Sequence, residues 1–360
     1  MKYSRLSLAA TVAALTLSVP VIAQELLIGT DALREWNLIV LGDLQSSSEV
    51  EGRTFVGGNL TGTSSNYVIS SGQASTTGQA GLTVVGDVTG GIKNLNNGSG
   101  AIIGGNVESG FNLNGGTQTV KVGGTISNTN VNQNVVQSGL ASSDSNYLYA
   151  LDRQKSLLTS SLTDLSHSLA ALDANSTVTI SGNRATFNAT PNADGVAVFS
   201  LTSDQLNTIG EIAFNLNGAD TAIVNVSGKA ITLNDNFLGG TANLGEHVIW
   251  NFDEAEALTL TTAWGGSVLA PGASATTANY IQGSAVFGSL VQNGEMHVGT
   301  YQGSYTPPST GTPGGSSGGS SGGDPVDVPE APAMGLFLAG LAGLIYARRR
   351  FQRKAAARTE

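Results

Sequence analysis

Leu38-Ile39-Val40-Leu41-Gly42-Asp43-Leu44 is restated four times downstream. The copies are Thr54-Phe55-Val56-Gly57-Gly58-Asn59-Leu60, Thr83-Val84-Val85-Gly86-Asp87-Val88, Ala101-Ile102-Ile103-Gly104-Gly105-Asn106-Val107 and Val120-Lys121-Val122-Gly123-Gly124-Thr125-Ile126. Each is a short β-branched run, a glycine, a small polar residue and an aliphatic. Aligned on Gly42, Gly58, Gly86, Gly105 and Gly124, the steps are 16, 28, 19 and 19 residues. A recurrence near 20 residues marks stacked coils, because a strand of four or five residues buries its apolar face only against neighbours like itself. The five glycines are expected at the corners, where positive φ is free of steric penalty. The polar residue after each is expected to bond its local backbone. Antiparallel hairpins also use Gly-Asp and Gly-Gly turns. One strong strand per repeat and the equal last steps favour a solenoid. Ser64 to Gly81, rich in Ser, Gly, Thr and Gln, reads as a loop thrown out of one coil.

Working outward, Asn128 to Ser142 is a polar connection, after which the period changes. Leu148, Leu151, Leu158, Leu162, Leu165, Leu169 and Leu172 form a helical stripe over about 144–173, with Asp144 or Ser145 as cap. Such a helix, apolar on one face, is expected to lie along the coils; a coiled-coil seam is the alternative. Short strands resume at Val178, and Gly266 to Gly272 and Ile281 to Leu290 read as two successive coils. The expected fold is all-β with one long helix: a right-handed β-solenoid of irregular coils over 24–303, the helix packed alongside.

The 360 residues include 48 glycines and no cysteine, so an exported chain of this kind holds together without disulfides. Residues 1–23 have the three parts of a secretory signal: Lys2 and Arg5, the apolar Leu6 to Leu17, and Val21-Ile22-Ala23, with cleavage expected between Ala23 and Gln24. Signal peptidase is the implied partner. Net charge is −10, and between Gln24 and Gly323 there are 8 basic residues against 22 acidic. That balance excludes nucleic acid bound through phosphate contacts.

Residues 304–327 are a Pro/Gly/Ser linker. Residues 328–354 follow: Val328-Pro329-Glu330, the apolar stretch Ala333 to Ala347, and Arg348-Arg349-Arg350 with Arg353 and Lys354; 355–360 are a short tail. The apolar stretch spans about 22 Å as a helix, short of a ~30 Å hydrocarbon core. The arginines would hold their end in the cytoplasm.

This three-part tail resembles the PEP-CTERM sorting signal read by exosortases of Gram-negative bacteria that make extracellular polysaccharide. It departs from that pattern at Ala331, where proline is usual. The resemblance implies an exosortase-like processing enzyme and transient residence of 333–347 in the inner membrane. The body resembles the choice-of-anchor A family at Trp36-Asn37-Leu38-Ile39-Val40, Gly57-Gly58-Asn59-Leu60, Trp250-Asn251-Phe252, Gly266-Ser267-Val268-Leu269-Ala270-Pro271 and Gly294-Glu295-Met296-His297. That implies a surface or matrix domain with an adhesive role, extracellular polysaccharide being one candidate partner in biofilm. The fold is also similar to ice-binding β-solenoids with a helix beside the coils.

Catalytic patterns are thin. His167 falls on the helix as a solvated position, and His247 and His297 lack the spacing of a zinc pair. Asp253, Glu254 and Glu256 read as a solvated turn rather than the paired carboxylates of a polysaccharide-processing β-helix. No phosphate loop or serine-nucleophile elbow is present. No cofactor or metal is expected; calcium at the acidic turn is left open. The ice-binding alternative needs a regular array of threonines, and Thr177-Val178-Thr179 and Leu258-Thr259-Leu260-Thr261-Thr262 do not recur at the coil period in sequence.

Overall fold

A computed structural model describes residues 27–72, 75 and 77–307. Ala23 and Gln24, the linker beyond residue 307, Val328 to Glu330 and Arg348 to Arg350 lie outside the described residues. The described chain is a three-sided β-solenoid built from a 15-stranded, a 7-stranded and a 4-stranded sheet. Pairing between coils is parallel throughout, and the one antiparallel pair is Thr177–Ser181 with Arg184–Asn188.

The strand order shows a path the sequence does not suggest. The first side runs Val135–Gln137, Thr119–Val122, Ala101–Ile103, Leu82–Val84, Thr54–Val56 and Leu38–Val40. It then passes directly to Ala285–Gln292, Ser267–Thr277, Val248–Asn251, Thr221–Ser227 and Val196–Thr202. The first coil therefore lies in the middle of the stack. Early coils build outward from it to one end, the long helix returns alongside, and late coils build back from the other end. Leu38 pairs with Ala285, and Val40 with Phe287.

The coils carry up to three strands, not the single one expected, with isolated bridges at Val88, Val107 and Ile126 standing in on the second side of the early coils. The first side is most apolar from Leu38–Val40 through Val248–Asn251, where both its surfaces are covered, which is why it dominates the sequence; at its Val135–Gln137 end Lys121 and Val135 are exposed. Inward residues such as Val40, Val56 and Val84 join the interior core. Outward residues such as Ile39, Phe55, Ile223 and Val286 meet the helix. The other two sides face water, so their three-residue strands (Leu44–Ser46, Lys93–Leu95) show only two inward side chains around a polar one. The expected loop Ser64 to Gly81 contains one of these strands, Ser65–Tyr67, and the polar connection contains the last strand of the first side, Val135–Gln137.

The long helix is Tyr147–Ala170, 24 residues, shorter at both ends than the leucine stripe suggests. Its N-cap is Asn146; Asp144 accepts from the Asn146 N–H instead of capping the helix directly. Leu148 is exposed, while the Tyr147 hydroxyl lies between the Ile103 and Lys121 carbonyls, 3.0 and 2.9 Å away, with its one proton to share between them. At the other end Asn225 donates to the Leu169 carbonyl. A helix of this length covers about 36 Å. The nine strands from Thr119–Val122 to Thr221–Ser227 span eight spacings of about 4.8 Å, or ~38 Å. The match lets one helix seal the first side.

Gly42, Gly58, Gly86, Gly105 and Gly124 stand in one file. The N–H of each donates to the carbonyl of the glycine one coil below, from Gly288 under Gly42 up to Gly124. Their φ angles are not positive, so conformational freedom is not why glycine is there. The cause is close approach: a Cβ on Gly58, Gly86, Gly105 or Gly124 would fall within 3.0 Å of the Asp or Asn side chain beneath it. Those side chains form a ladder. Asp43 accepts from the Asn59 N–H (2.7 Å), Asn59 from Asp87 (2.9 Å), Asp87 from Asn106 (2.6 Å) and Asn106 from Thr125 (2.9 Å). The polar residue thus bonds the next coil, not its own turn. Gly105→Ala should destabilise the body by about 1–3 kcal/mol through overpacking, read as a lower urea midpoint at unchanged slope.

Candidate adhesive face

The second side presents the most regular exposed surface. It contains Ala230–Leu233, Ala257–Leu260, the later parts of Ser267–Thr277 and Ala285–Gln292, Leu44–Ser46 and Leu60–Gly62. Ile231, Leu258, Ala275, Leu290 and Leu44 point inward and are buried. Alternation therefore turns their neighbours outward. Thr232, Thr259, Thr276, Val291, Gln45 and Thr61 form one column at successive register positions. Ala230, Ala257, Ser274 and Ser289 form a second. Neighbours within a column are about 4.8 Å apart.

Neither column contains a charge. A Lys229–Glu256 ion pair (2.6 Å) borders the array on one side. Beneath it, Gln292 is fully buried, accepting from Ser46 (2.8 Å) and donating to the Glu49 and Gly294 carbonyls. This pins the corner to the third side. Three threonines align coil by coil through pairing, although, as the sequence reading has it, they follow no fixed period. Thr232, Thr259 and Thr276 are aligned across gaps of unequal length, so no fixed period betrays them.

The residues considered for chemistry are dispersed. His167 is an exposed position on the helix, as expected, with Nδ1 2.6 Å from Asp253 Oδ1 of a late coil. His247 Nδ1 lies 2.9 Å from the Asp220 carbonyl. His297 contacts Glu295 (2.8 Å) and stacks on Tyr280 with ring centroids 4.3 Å apart. Glu254 accepts from the Gly228 N–H and Glu256 takes Lys229, so the acidic turn is divided among separate partners. Among the described residues no group of three His, Cys, Asp or Glu is placed to hold a metal ion. None of the described helices is long and apolar enough to cross a membrane.

A groove of about 570 Å³ lies between the end of the long helix and the C-terminal strap, lined by Leu172, Asp173, Asn192, Asp194 and Tyr305 among others. The strap is held by Asp220, whose carboxylate accepts from the Ser304 N–H (2.6 Å) and hydroxyl (2.8 Å). Those bonds, the backbone one first, hold its pKa below the usual carboxylate value. Arg34 reaches the Gly303 carbonyl (2.5 Å) and lies over the Tyr301 ring.

Residues 29–298 match the family described as "Putative Ice-binding-like adhesive domain". No curated protein matches the chain. Among solved structures, an ice binding protein from an Antarctic bacterium, Flavobacteriaceae, matches at 13% identity, covering 72% of this chain and 79% of that one, with a TM-score of 0.26.

Proposed function

We infer the function from a premise that the match over 29–298 establishes: the chain belongs to the ice-binding-like adhesive domain family. It carries a non-enzymatic, adhesive type of domain on a β-solenoid frame. The adhesive surface is the second side, and its ligand is a hydroxyl-rich extracellular polysaccharide. What supports this is the uncharged double column running from Ala230 and Thr232 to Ser289 and Val291. Single hydroxyl or amide contacts are weak, but a ladder repeating along the axis engages a repeating chain at many points together. Substituting Thr259→Lys and Thr276→Lys together puts two charges on exposed positions without touching the core. Retention on exopolysaccharide should fall at least about tenfold. No enrichment of the native chain over a control solenoid would sink the reading.

The Thr232–Thr259–Thr276 column favours ice as a second reading. Clear thermal hysteresis from residues 24–305 would replace the polysaccharide ligand with ice. Release of reducing ends from polysaccharide would instead favour catalysis in the groove beside Asp173 and Asp194.

The finer assignment is a choice-of-anchor A protein, exported to the cell surface or matrix. Signal peptidase cuts between Ala23 and Gln24, and 333–347 sits transiently in the inner membrane. An exosortase-type enzyme then processes the PEP-CTERM-like segment at Val328-Pro329-Glu330 and Arg348-Arg349-Arg350. Cells expressing the chain without Val328 to Glu360 should shed the body into the medium. Unchanged retention on fractionation would remove this assignment while leaving the adhesive face intact.

A further inference from the structure

We propose that the end of the solenoid formed by Val135–Gln137 is a self-association surface where two copies of this chain meet head to head. This strand closes the 15-stranded sheet and pairs with Thr119–Val122; among the described residues no strand lies against its other edge. A free edge is a template for another strand, and charged side chains are a common means of blunting it. Here there are none: from Val122 to Ser143 the chain has no Asp, Glu, Lys or Arg. Val131, Val135, Leu148 and Tyr149 come to the surface in this region, 41–67% exposed. They are half of the large apolar side chains exposed among the described residues. The neighbouring third side is closed differently. There Thr129 Oγ1 and Asn130 Oδ1 accept the Phe111 and Leu113 N–H groups, so that side is capped by side chains while Val135–Gln137 is not.

The occupant is a second copy because of charge. Between Gln24 and Gly323 acidic residues outnumber basic ones 22 to 8, so two copies repel unless they meet where neither is charged. A basic partner would find no carboxylate in this stretch to pair with. The head-to-head sense follows from the far end of the first side, which is blocked. Val198 donates to Asn175 Oδ1 (2.8 Å), and its carbonyl accepts from the Asn175 and Ser176 N–H groups (both 3.1 Å). A coil cannot be continued there. Thr177–Ser181 keeps a free edge at that end, but on the four-stranded sheet and between Asp173 and Arg184. Two identical edges meet around a twofold axis, antiparallel, and the assembly closes at two. The pairing is independent of what the threonine face binds, and it doubles the number of such faces.

The absence of cysteine makes a clean test. The full chain is exported as four single-cysteine variants, V135C, V136C, Q137C and T179C, then oxidised. At least one of the first three should give a band at twice the monomer mass that collapses on reduction. Adding V131K to that variant should abolish the band at unchanged circular dichroism. The proposal is overturned by no dimer from any of the three, by equal dimer from T179C, or by a band that survives V131K.

Discussion

Phe287→Ala lowers the stability of the whole body by about 3–5 kcal/mol, among the largest effects of any single truncation. Phe287 is fully buried, on the strand that joins the two halves of the stack. It pairs with Val40 of the first coil on one side and with Ala270 of the preceding coil on the other. The cavity is therefore shared by both halves, and the native structure offers no second route between them along the first side. Urea unfolding followed by tryptophan fluorescence should shift as a single transition. Trp36 reports near the seam, while Trp250 and Trp264 report from the late coils. A loss below about 1 kcal/mol, or two transitions of which one stays in place, would contradict the closed stack.

The second large effect is on the pH dependence of stability. Asp235 is fully buried, neither carboxylate oxygen has a partner from another residue, and burial pushes its pKa up from 3.8 to about 7. Below pH 3.8 folded and unfolded chains both hold this proton. Between about 4 and 7 the unfolded chain has released it and the folded chain has not, so stability falls as pH rises. Lys93 is the mirror case. It is fully buried, donates to the Thr63 carbonyl (2.7 Å), and is drawn down by burial from 10.5 to about 8. Its penalty is complete below about 8 and lifts as pH rises toward 10.5, because the folded chain releases the proton first.

Both penalties are in force between about pH 7 and 8, where these two groups together place a minimum of stability. Asp235→Asn should raise stability above pH 7 by up to about 4 kcal/mol and flatten the acid limb. Lys93→Met should raise it by up to about 3 kcal/mol below pH 8, less whatever is lost at the Thr63 carbonyl. Urea midpoints from pH 4 to 10 measure both; a profile that rises from 4 to 7 and is unmoved by either substitution would refute the account.

The sequence was most legible where side chains are constrained from two directions. The strand runs ending at Gly42, Gly58, Gly86 and Gly105 stand out because their outer face is covered as well as their inner one, while the run before Gly124 leaves Lys121 exposed. The helix itself is legible from Leu151 to Leu169, and blurred at Leu148, where Tyr147 makes the contact that leucine seemed to promise. Strands with one face in water, such as Asn94 between Lys93 and Leu95, leave no apolar run to read. The threonine face was hidden for a related reason. Thr232, Thr259 and Thr276 become neighbours through pairing, and the intervening turns differ in length. No local signal announces that Leu38 will lie against Ala285, since such a register is a property of the completed stack. The glycine file was visible, but its cause lay in the side chain one coil below.

The seam between Leu38–Val40 and Ala285–Gln292 also has a temporal meaning. The first described strand, Leu38–Val40, pairs with nearly the last described one, Ala285–Gln292, and long-range parallel pairing of this kind is slow to form. Gln45 from the first coil and Val291 from a late one sit side by side on the threonine face, so a chain cut before Ala285 presents half a lattice and a raw border. The threonine face is complete only once the chain has been made through Gln292, which makes its assembly a test of the body's own integrity.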